Sequence, residues 1–192
     1  MVVELPPQFL SWNYFSRRSS IRDFIDGKSE RDMNLFFLES TRHNPALCTA
    51  CVKPNGIIDV NAKIVGIGYV LREEFLSEAI GALNSHLKFG DKLFYGTQTG
   101  EEKRKAVREY QRKGMLLLLE YLYFEPEEAR LKVDFTKMST VELAKSKPHS
   151  SKHTWSIVQK NATACLLFYR PPNISFELHG WLDVHEEGLY YE

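Results

Sequence analysis

The sequence predicts an α+β fold in which antiparallel strands near both ends of the chain flank a group of helices. The turn signal Pro54-Asn55-Gly56 lies between two apolar runs, a pattern that is typical of a β-hairpin. The run from Glu101 to Phe124 is rich in Leu and Met, which favours a long helix. Short apolar runs then close the chain. Strands and helices are grouped rather than alternating, so the pattern does not predict a parallel sheet.

Length, charge and cysteine usage limit the class of protein. The 192 residues predict a single domain spanning residues 1–192, with a helical insertion around residues 72–128. Lys and Arg together number 25, as do Asp and Glu, so the chain has no global attraction for nucleic acid. The sequence has no apolar run of about 18 residues to span a membrane, and its N-terminus does not resemble a secretory signal. Three cysteines are too few for a disulfide framework, which predicts a reducing, cytoplasmic location.

The N-terminal third is predicted to contain an arm, a helix and a hairpin. Pro6 and Pro7 open an extended aromatic arm, and Ser29 is a predicted N-cap for a helix that ends before Pro45. A strand from Ala46 to Val52 is followed by a long return strand from Ile57 to Val70. The return strand is predicted to carry Ile58, Val60, Ala62 and Ile64 on one face. Gly66 and Gly68 indicate a bulge or a close backbone approach.

The middle of the chain is predicted to be mainly helical. A helix from Glu73 to Leu87 precedes a short strand from Lys92 to Tyr95 and the long helix that Pro126 ends. Gly114 is a predicted break in that long helix. A strand follows from Arg130 to Thr136, and Ser139 begins a capping box for a short helix.

The last forty residues are predicted to form a short helix and three strands. The helix begins near Ser150, and the strands run from Thr163 to Tyr169, from Ile174 to Leu178 and from Trp181 to His185. Tyr190 and Tyr191 are candidates for the start of a further strand.

Small hydroxyl and basic residues at the start of that short helix predict a phosphate site. Ser150, Ser151, Lys152 and His153 lie where free backbone N–H groups and the positive end of the helix dipole point outward. Lysine adds charge and the serines add hydroxyl groups. The alternative is a solvated loop with an N-capping serine.

The strand beyond this helix start carries a family resemblance. Asn161-Ala-Thr-Ala164-Cys-Leu166-Leu-Phe168-Tyr169, followed by Pro172 and Gly180, resembles the middle of the pyridoxamine-phosphate oxidase family of FMN-binding split barrels. In that family a Ser-Arg-Lys helix start precedes an Asn-x-x-Ala-x-Leu-x-Phe-Tyr strand, and Ser151-Lys152-His153 holds the corresponding place here. The hairpin from Ala46 to Ile64 is similar to the first hairpin of the family.

The resemblance implies a fold, a cofactor and an assembly. The fold would be an antiparallel, split-barrel-like β-barrel elaborated by inserted helices. Ser151, Lys152 and His153 would hold the FMN phosphate, with Lys63 contributing from the hairpin, and the flavin would supply oxidoreductase chemistry. Catalytic side chains stay unassigned. Members of the family are typically homodimers with flavin at the subunit interface, so the resemblance implies a homodimer.

Two departures from the family pattern leave an alternative open. Asn61 lies where the family has a phosphate-binding arginine, and Lys63 is the nearest cation. A long insertion separates the two matching blocks, and the family's substrate-binding segment is not recognisable. The alternative is a non-enzymatic interaction domain that has lost the cofactor and binds a protein or nucleic-acid partner through a basic helix.

That basic helix and two shorter resemblances complete the candidates for binding. Arg104, Arg108 and Arg112 form a stripe that could contact nucleic acid, although Glu101–Lys105 and Glu109–Lys113 pairs favour a solvated, ion-paired face. The segment 94–100 is similar to the phosphate loop of flavodoxin-type domains, but a polar loop is favoured in mid-chain. The segment 17–24 resembles the start of nitroreductases, but nothing after it fits, and a basic loop is the simpler interpretation.

No metal site is predicted. Cys48 and Cys51 are three residues apart in a strand, so their side chains should point to opposite faces. Cys165 is distant and supplies no known ligand spacing. His179 and His185 are interpreted as ordinary edge histidines without a carboxylate cluster beside them.

Overall fold

A computed structural model of the chain describes residues 3–28, 39, 42–94, 100–141 and 152–192. The fold contains two compact units. One comprises Met1–Glu30, Tyr69–Lys137 and Glu187–Glu192, and the other comprises Arg31–Gly68 and Met138–Glu186. The prediction of one domain with a helical insertion stays a prediction.

Helices and antiparallel strands are both present, so the predicted α+β class is confirmed. The helices are α1 (Pro7–Leu10), α2 (Ser16–Ile25), α3 (Glu73–Phe94), α4 (Gly100–Tyr121), α5 (Pro126–Lys132) and α6 (His153–Val158), with a π-helical turn at Ser11–Phe15 between the first two. The strands are β1 (Ala46–Val52), β2 (Ile58–Ile64), β3 (Ile67–Leu71), β4 (Val133–Thr140), β5 (Thr163–Arg170) and β6 (Ile174–Trp181). None of the described helices combines the length and the apolar character needed to cross a bilayer.

The predicted hairpin is confirmed. β1 and β2 pair antiparallel along their whole length, from Ala46 opposite Ile64 to Val52 opposite Ile58. The Gly56 N–H donates a 2.9 Å hydrogen bond to the Lys53 carbonyl, and Gly56 has a φ of 79°, which glycine adopts at no steric cost. The Asn-Gly signal therefore identifies the turn correctly.

The sheets of the described part are open, and a closed barrel is not found there. One sheet has four strands in the order β2-β1-β5-β6, and the other pairs β3 with β4. The predicted return strand from Ile57 to Val70 is two strands, because β2 ends at Ile64 and β3 begins at Ile67. Between them, the Val65 N–H donates to the Pro45 carbonyl at 3.0 Å instead of continuing the pairing of β2 with β1. The split-barrel architecture is therefore not confirmed.

Gly68 confirms the predicted close approach of the backbone. A Cβ atom added to Gly68 would lie 2.9 Å from the Ser139 Oγ atom, whereas one added to Gly66 would meet nothing within 4 Å. Only the second glycine of the pair therefore makes room for a neighbouring segment.

Several local predictions are wrong. The N-terminal arm is helical rather than extended, since Pro7 occupies the first turn of α1, where proline fits a helix. The segment 17–24 lies within α2 rather than in a loop. The predicted strand at 92–95 is helix as far as Phe94, and α4 passes through Gly114 without a break. Ser139 lies in β4 rather than at a helix N-cap, and the rest of the short helix predicted there falls on residues 142–150, outside the described part of the chain.

The end of the chain also differs from its prediction. The two predicted strands from Ile174 to His185 are one strand, β6, which ends at Trp181. Tyr190 and Tyr191 lie in a turn. The helix predicted after Ser29 falls almost entirely outside the described residues.

Aromatic rings form the centre of the first unit. The Tyr14 ring meets the rings of Tyr69, Tyr123 and Phe135, with centroid separations of 4.8, 5.3 and 5.2 Å. The Tyr69 hydroxyl donates a 2.7 Å hydrogen bond to the side-chain oxygen of Asn13. This hydrogen bond gives two buried polar side chains, Tyr69 and Asn13, a partner.

The two faces of the four-stranded sheet differ in their surroundings. Leu47 and Phe168 are buried on one face, which we call the inner face, and α6 packs against β1 and β2 with Ile157 and Val158 buried. Strand pairing places the opposite set of side chains on the other face, which we call the open face. The open face carries Ala46, Cys48, Ala50 and Val52 of β1, Ile58, Val60, Ala62 and Ile64 of β2, Thr163, Cys165, Leu167 and Tyr169 of β5, and Ser175, Glu177, His179 and Trp181 of β6.

Candidate functional sites on the four-stranded sheet

The start of α6 lies against β2, as the family resemblance implies for the phosphate site. The ring Nε2 atom of His153 is 3.0 Å from the Asp59 Oδ1 atom. At the next residue of α6, the Thr154 hydroxyl accepts a 3.0 Å hydrogen bond from the side-chain amide of Asn61 in β2. The helix start and the second strand of the hairpin are therefore adjacent.

The charge at this corner is mixed. Asp59 pairs with His153 and also lies 3.3 Å from the Lys53 Nζ atom. Burial would raise the pKa of the Asp59 carboxyl, but its hydrogen bonds with Lys53 and His153 outweigh that effect, so its pKa lies below the usual value. An ionised carboxylate beside His153 opposes a phosphate dianion there.

The predicted phosphate residues are only partly placed. Lys152 is the N-cap of α6, and His153 is its first residue. Lys63 shares the half-buried side of β2 with Asp59 and Asn61. Ser151 lies outside the described residues, as does Ser150, so their predicted part in the site stays a prediction. Because α6 has only six residues, its dipole adds little for an anion.

The basic stripe lies on an exposed surface of α4. Arg104, Arg108 and Arg112 are exposed, and the first two line a shallow depression with Gly100, Lys103 and Val107. Residues 95–99 of the flavodoxin-like segment lie outside the described residues. The side-chain arrangement of the stripe is therefore compatible with an anionic partner but defines no enclosed site.

Large apolar side chains are exposed on the open face. Each retains between 37% and 73% of its accessible surface, and the set comprises Val52, Ile58, Val60, Ile64, Leu167, Tyr169 and Trp181. The alternation predicted for Ile58, Val60, Ala62 and Ile64 is confirmed, and the face that they share is the exposed one. Apolar patches that extend over several strands are uncommon on isolated monomers and are typical of binding surfaces.

A cluster of potential metal ligands lies on the same face, and sequence reasoning missed it. One ligand atom each of Cys165, Glu177 and His179 lies within 4.8 Å of the other two. Cys165 pairs directly with His179 across β5 and β6, and with Cys48 across β1 and β5. The signal in the sequence is Glu177-x-His179, because residues two apart in a strand share a face.

Cys48 and Cys51 point to opposite faces, as predicted. Cys51 is buried among the inner-face residues, whereas Cys48 is half-buried on the open face. His185 differs from His179, since it lies beyond β6 and pairs with Asp183 at 3.3 Å. His179 is thus the edge-strand histidine of the two, since β6 is the last strand of the four-stranded sheet, whereas His185 lies outside that sheet.

No protein-family model, no curated protein and no solved structure matches this chain.

Proposed function

We propose that the protein is an interaction domain that self-associates through the apolar half of the open face, formed by β1 and β2. The carrying observation is the exposure of Val52, Ile58, Val60 and Ile64 on two neighbouring strands. Burying apolar surface contributes about 25 cal/mol per Å² to association. A partner that covers this surface removes the apolar side chains from water, which lowers the free energy of the complex relative to the isolated chain.

A second copy of the chain is the partner that suits this surface. The outward residues of β1 and β2 on the open face include no charged side chain, so two such faces meet without like-charge repulsion. The formal net charge of zero also removes the overall repulsion between copies. A two-fold dimer brings the same patch together from both chains, so that the apolar side chains of one copy pack against those of the other. The family resemblance implies a homodimer independently.

The oligomeric state tests this proposal. Sedimentation equilibrium over a range of protein concentrations should show a reversible dimer of the wild-type chain. Val60→Lys adds one buried charge per subunit, so two charges enter each dimer interface, and dimer dissociation should become at least about 10-fold easier. Leu131→Lys is the matched control, because Leu131 is 70% exposed on α5 and lies off the open face. A wild-type chain that stays monomeric, or an equal effect of both variants, would refute the proposal.

Flavin binding is a second proposal, and the adjacency of His153 and Thr154 to β2 supports it. In this proposal Lys152 and His153 bind the FMN phosphate with Ser151, and Lys63 contributes from β2. The flavin would supply any oxidoreductase chemistry, and the protein would orient it. The homodimer that the resemblance implies would place flavin at the subunit interface.

Titration with FMN, followed by flavin fluorescence, tests the second proposal. His153→Ala and Lys152→Ala should each weaken binding at least about 10-fold through loss of a charged contact to phosphate. Lys160→Ala is the control, since Lys160 lies beyond the other end of α6. Asp59→Asn should strengthen binding, because it removes the opposing carboxylate. Absence of FMN binding by the wild-type chain would exclude flavin while leaving the dimer proposal intact.

A further inference from the structure

We propose that Cys165, Glu177 and His179 form a zinc-binding site on the open face, with Cys48 as the fourth ligand. The site lies within one chain, with three ligands on β5 and β6 and the fourth on the neighbouring strand β1. It joins three neighbouring strands, since Cys48 belongs to β1, Cys165 to β5 and the other two ligands to β6.

The backbone already places the ligands around one point. Cys165 lies opposite both Cys48 and His179, and Glu177 follows the same side of β6 two residues before His179. The thiol, carboxylate and imidazole atoms of the three-residue cluster lie within 4.8 Å of one another. Ligand atoms bound to tetrahedral zinc lie about 3.3–3.8 Å apart, given zinc–ligand distances of about 2.0–2.3 Å. In this proposal, side-chain rotation brings these three ligand atoms closer together and turns the Cys48 thiol, which lies outside the three-residue cluster, toward them.

The ligand types select the metal. Thiolate, imidazole and carboxylate groups are the ligands that zinc takes in proteins, and two thiols with one imidazole favour it over the oxygen-preferring Mg²⁺ and Ca²⁺. Four protein ligands close the coordination sphere, which is the pattern of a structural rather than a catalytic zinc ion. The class of ligand is therefore a divalent, thiophilic cation.

The local electrostatics favour a cation. Glu177 Oε2 lies 3.3 Å from His179 Nε2, so these two groups already converge. Zinc would bind the Cys165 thiolate and release its proton to solvent, and its positive charge would offset the repulsion between thiolate and carboxylate.

Cobalt is a suitable spectroscopic probe of this site. The reduced, full-length chain should bind one Co²⁺ per chain, with a sulfur-to-cobalt charge-transfer band and the strong visible absorption of tetrahedral cobalt. One equivalent of Zn²⁺ should displace the cobalt, because zinc prefers tetrahedral sulfur and nitrogen ligands. A stoichiometric band that zinc abolishes is the expected result.

Matched variants identify the ligands. Cys165→Ala and His179→Ala should each weaken zinc binding by more than about 100-fold, since loss of even an outer partner of a metal ligand costs about 10–100-fold. His185→Ala is the control for His179. His185 also lies 3.3 Å from a carboxylate two residues before it, that of Asp183, but it is not a member of the cluster that contains the Cys165 thiol. Cys51→Ala is the control for Cys165, because Cys51 lies on the inner face. Cys48→Ala should lower the charge-transfer intensity.

Several outcomes would overturn the site. One is the absence of cobalt and zinc binding by the wild-type chain in the presence of reductant, and another is a loss of affinity in His185→Ala as large as that in His179→Ala. An unchanged spectrum for Cys48→Ala would refute its assignment as the fourth ligand. Repeating the titration with Val60→Lys separates this site from the proposed dimer, because a site within one chain keeps its affinity when the dimer dissociates.

Discussion

The Tyr14 hydroxyl donates a 2.6 Å hydrogen bond to the backbone carbonyl of Leu122. The same oxygen accepts a 2.8 Å hydrogen bond from the backbone N–H of Phe124. Tyr14 is fully buried, and burial raises the pKa of its hydroxyl well above the usual range, so the hydroxyl stays protonated as a donor. The Tyr14 side chain thus provides hydrogen-bond partners for two backbone groups just after the end of α4.

We predict that Tyr14→Phe destabilises the protein by about 1–3 kcal/mol, because it leaves a half-buried carbonyl and a buried N–H without this partner. Urea unfolding should show a lower midpoint with an unchanged slope. Tyr191→Phe is the control, since Tyr191 is 44% exposed, and it should change the unfolding free energy by less than about 0.5 kcal/mol. Equal effects of the two changes would contradict the role given to Tyr14.

His86 should make stability depend on pH. Burial, and to a lesser extent the charge of Lys113, lower the pKa of His86, and its Nδ1 atom has no hydrogen-bond partner among the described residues. The unfolded chain takes up a proton near the ordinary histidine pKa of about 6.5, whereas the folded chain does so only at lower pH. The unfolding free energy should therefore decrease as pH falls below about 6.5. His86→Gln should reduce that decrease in denaturation curves across this range, and an unchanged pH dependence would contradict the prediction.

Two helix glycines should respond in opposite directions to alanine. A Cβ atom at Gly114 would lie 2.8 Å from the Nε2 atom of buried His86, whereas one at Gly81 would meet nothing within 4 Å. Gly114→Ala should destabilise by about 1–3 kcal/mol through overpacking. Gly81→Ala should stabilise by about 0.5–1 kcal/mol, because alanine has the higher helix propensity. Thermal unfolding of both variants checks the pair, and the same sign for both would refute it.

Asn61 and Thr154 should be energetically coupled. Their side-chain hydrogen bond joins β2 to α6, and Thr154 is buried. A double-mutant cycle with Asn61→Ala and Thr154→Val should give a coupling energy of about 1 kcal/mol in unfolding experiments. A control cycle combines Asn61→Ala with Thr163→Val. Its coupling energy should be near zero, since Thr163 lies on the open face and Asn61 does not. Additive effects in the first cycle would show that the hydrogen bond contributes little.

The parts of the fold that sequence patterns predicted are those governed by local chemistry. The hairpin follows from Asn55-Gly56, and the long helices follow from composition. The division of the return strand at Val65 could not be read in this way, because it depends on hydrogen bonds to Pro45 and His43 from a different segment. Gly114 also misled, because its role is to leave room for a distant side chain rather than to break a helix.

The two candidate sites on the four-stranded sheet also differ in how far the sequence predicts them. The adjacency of His153 to β2 was implied by the resemblance, but Asp59 in the middle of that corner was not recognised as its partner. The metal ligands come from three strands whose order in the sheet the sequence does not state. Cys165 lacks a recognisable spacing to Cys48 because sheet pairing, rather than distance along the chain, brings them together.

The helical hairpin of α3 and α4 has a reciprocal arrangement. The His86 ring stacks on the Tyr110 ring with centroids 4.1 Å apart, and Gly114 and Gly90 leave the space that the respective rings occupy. Each ring stands four residues before the glycine of its own helix, so the two contacts are related by exchange of the helices. Sliding one helix by a turn would place both rings against ordinary side chains. The two ring–glycine contacts therefore allow only one register of α3 against α4, and steric fit alone sets the alignment of the two helices.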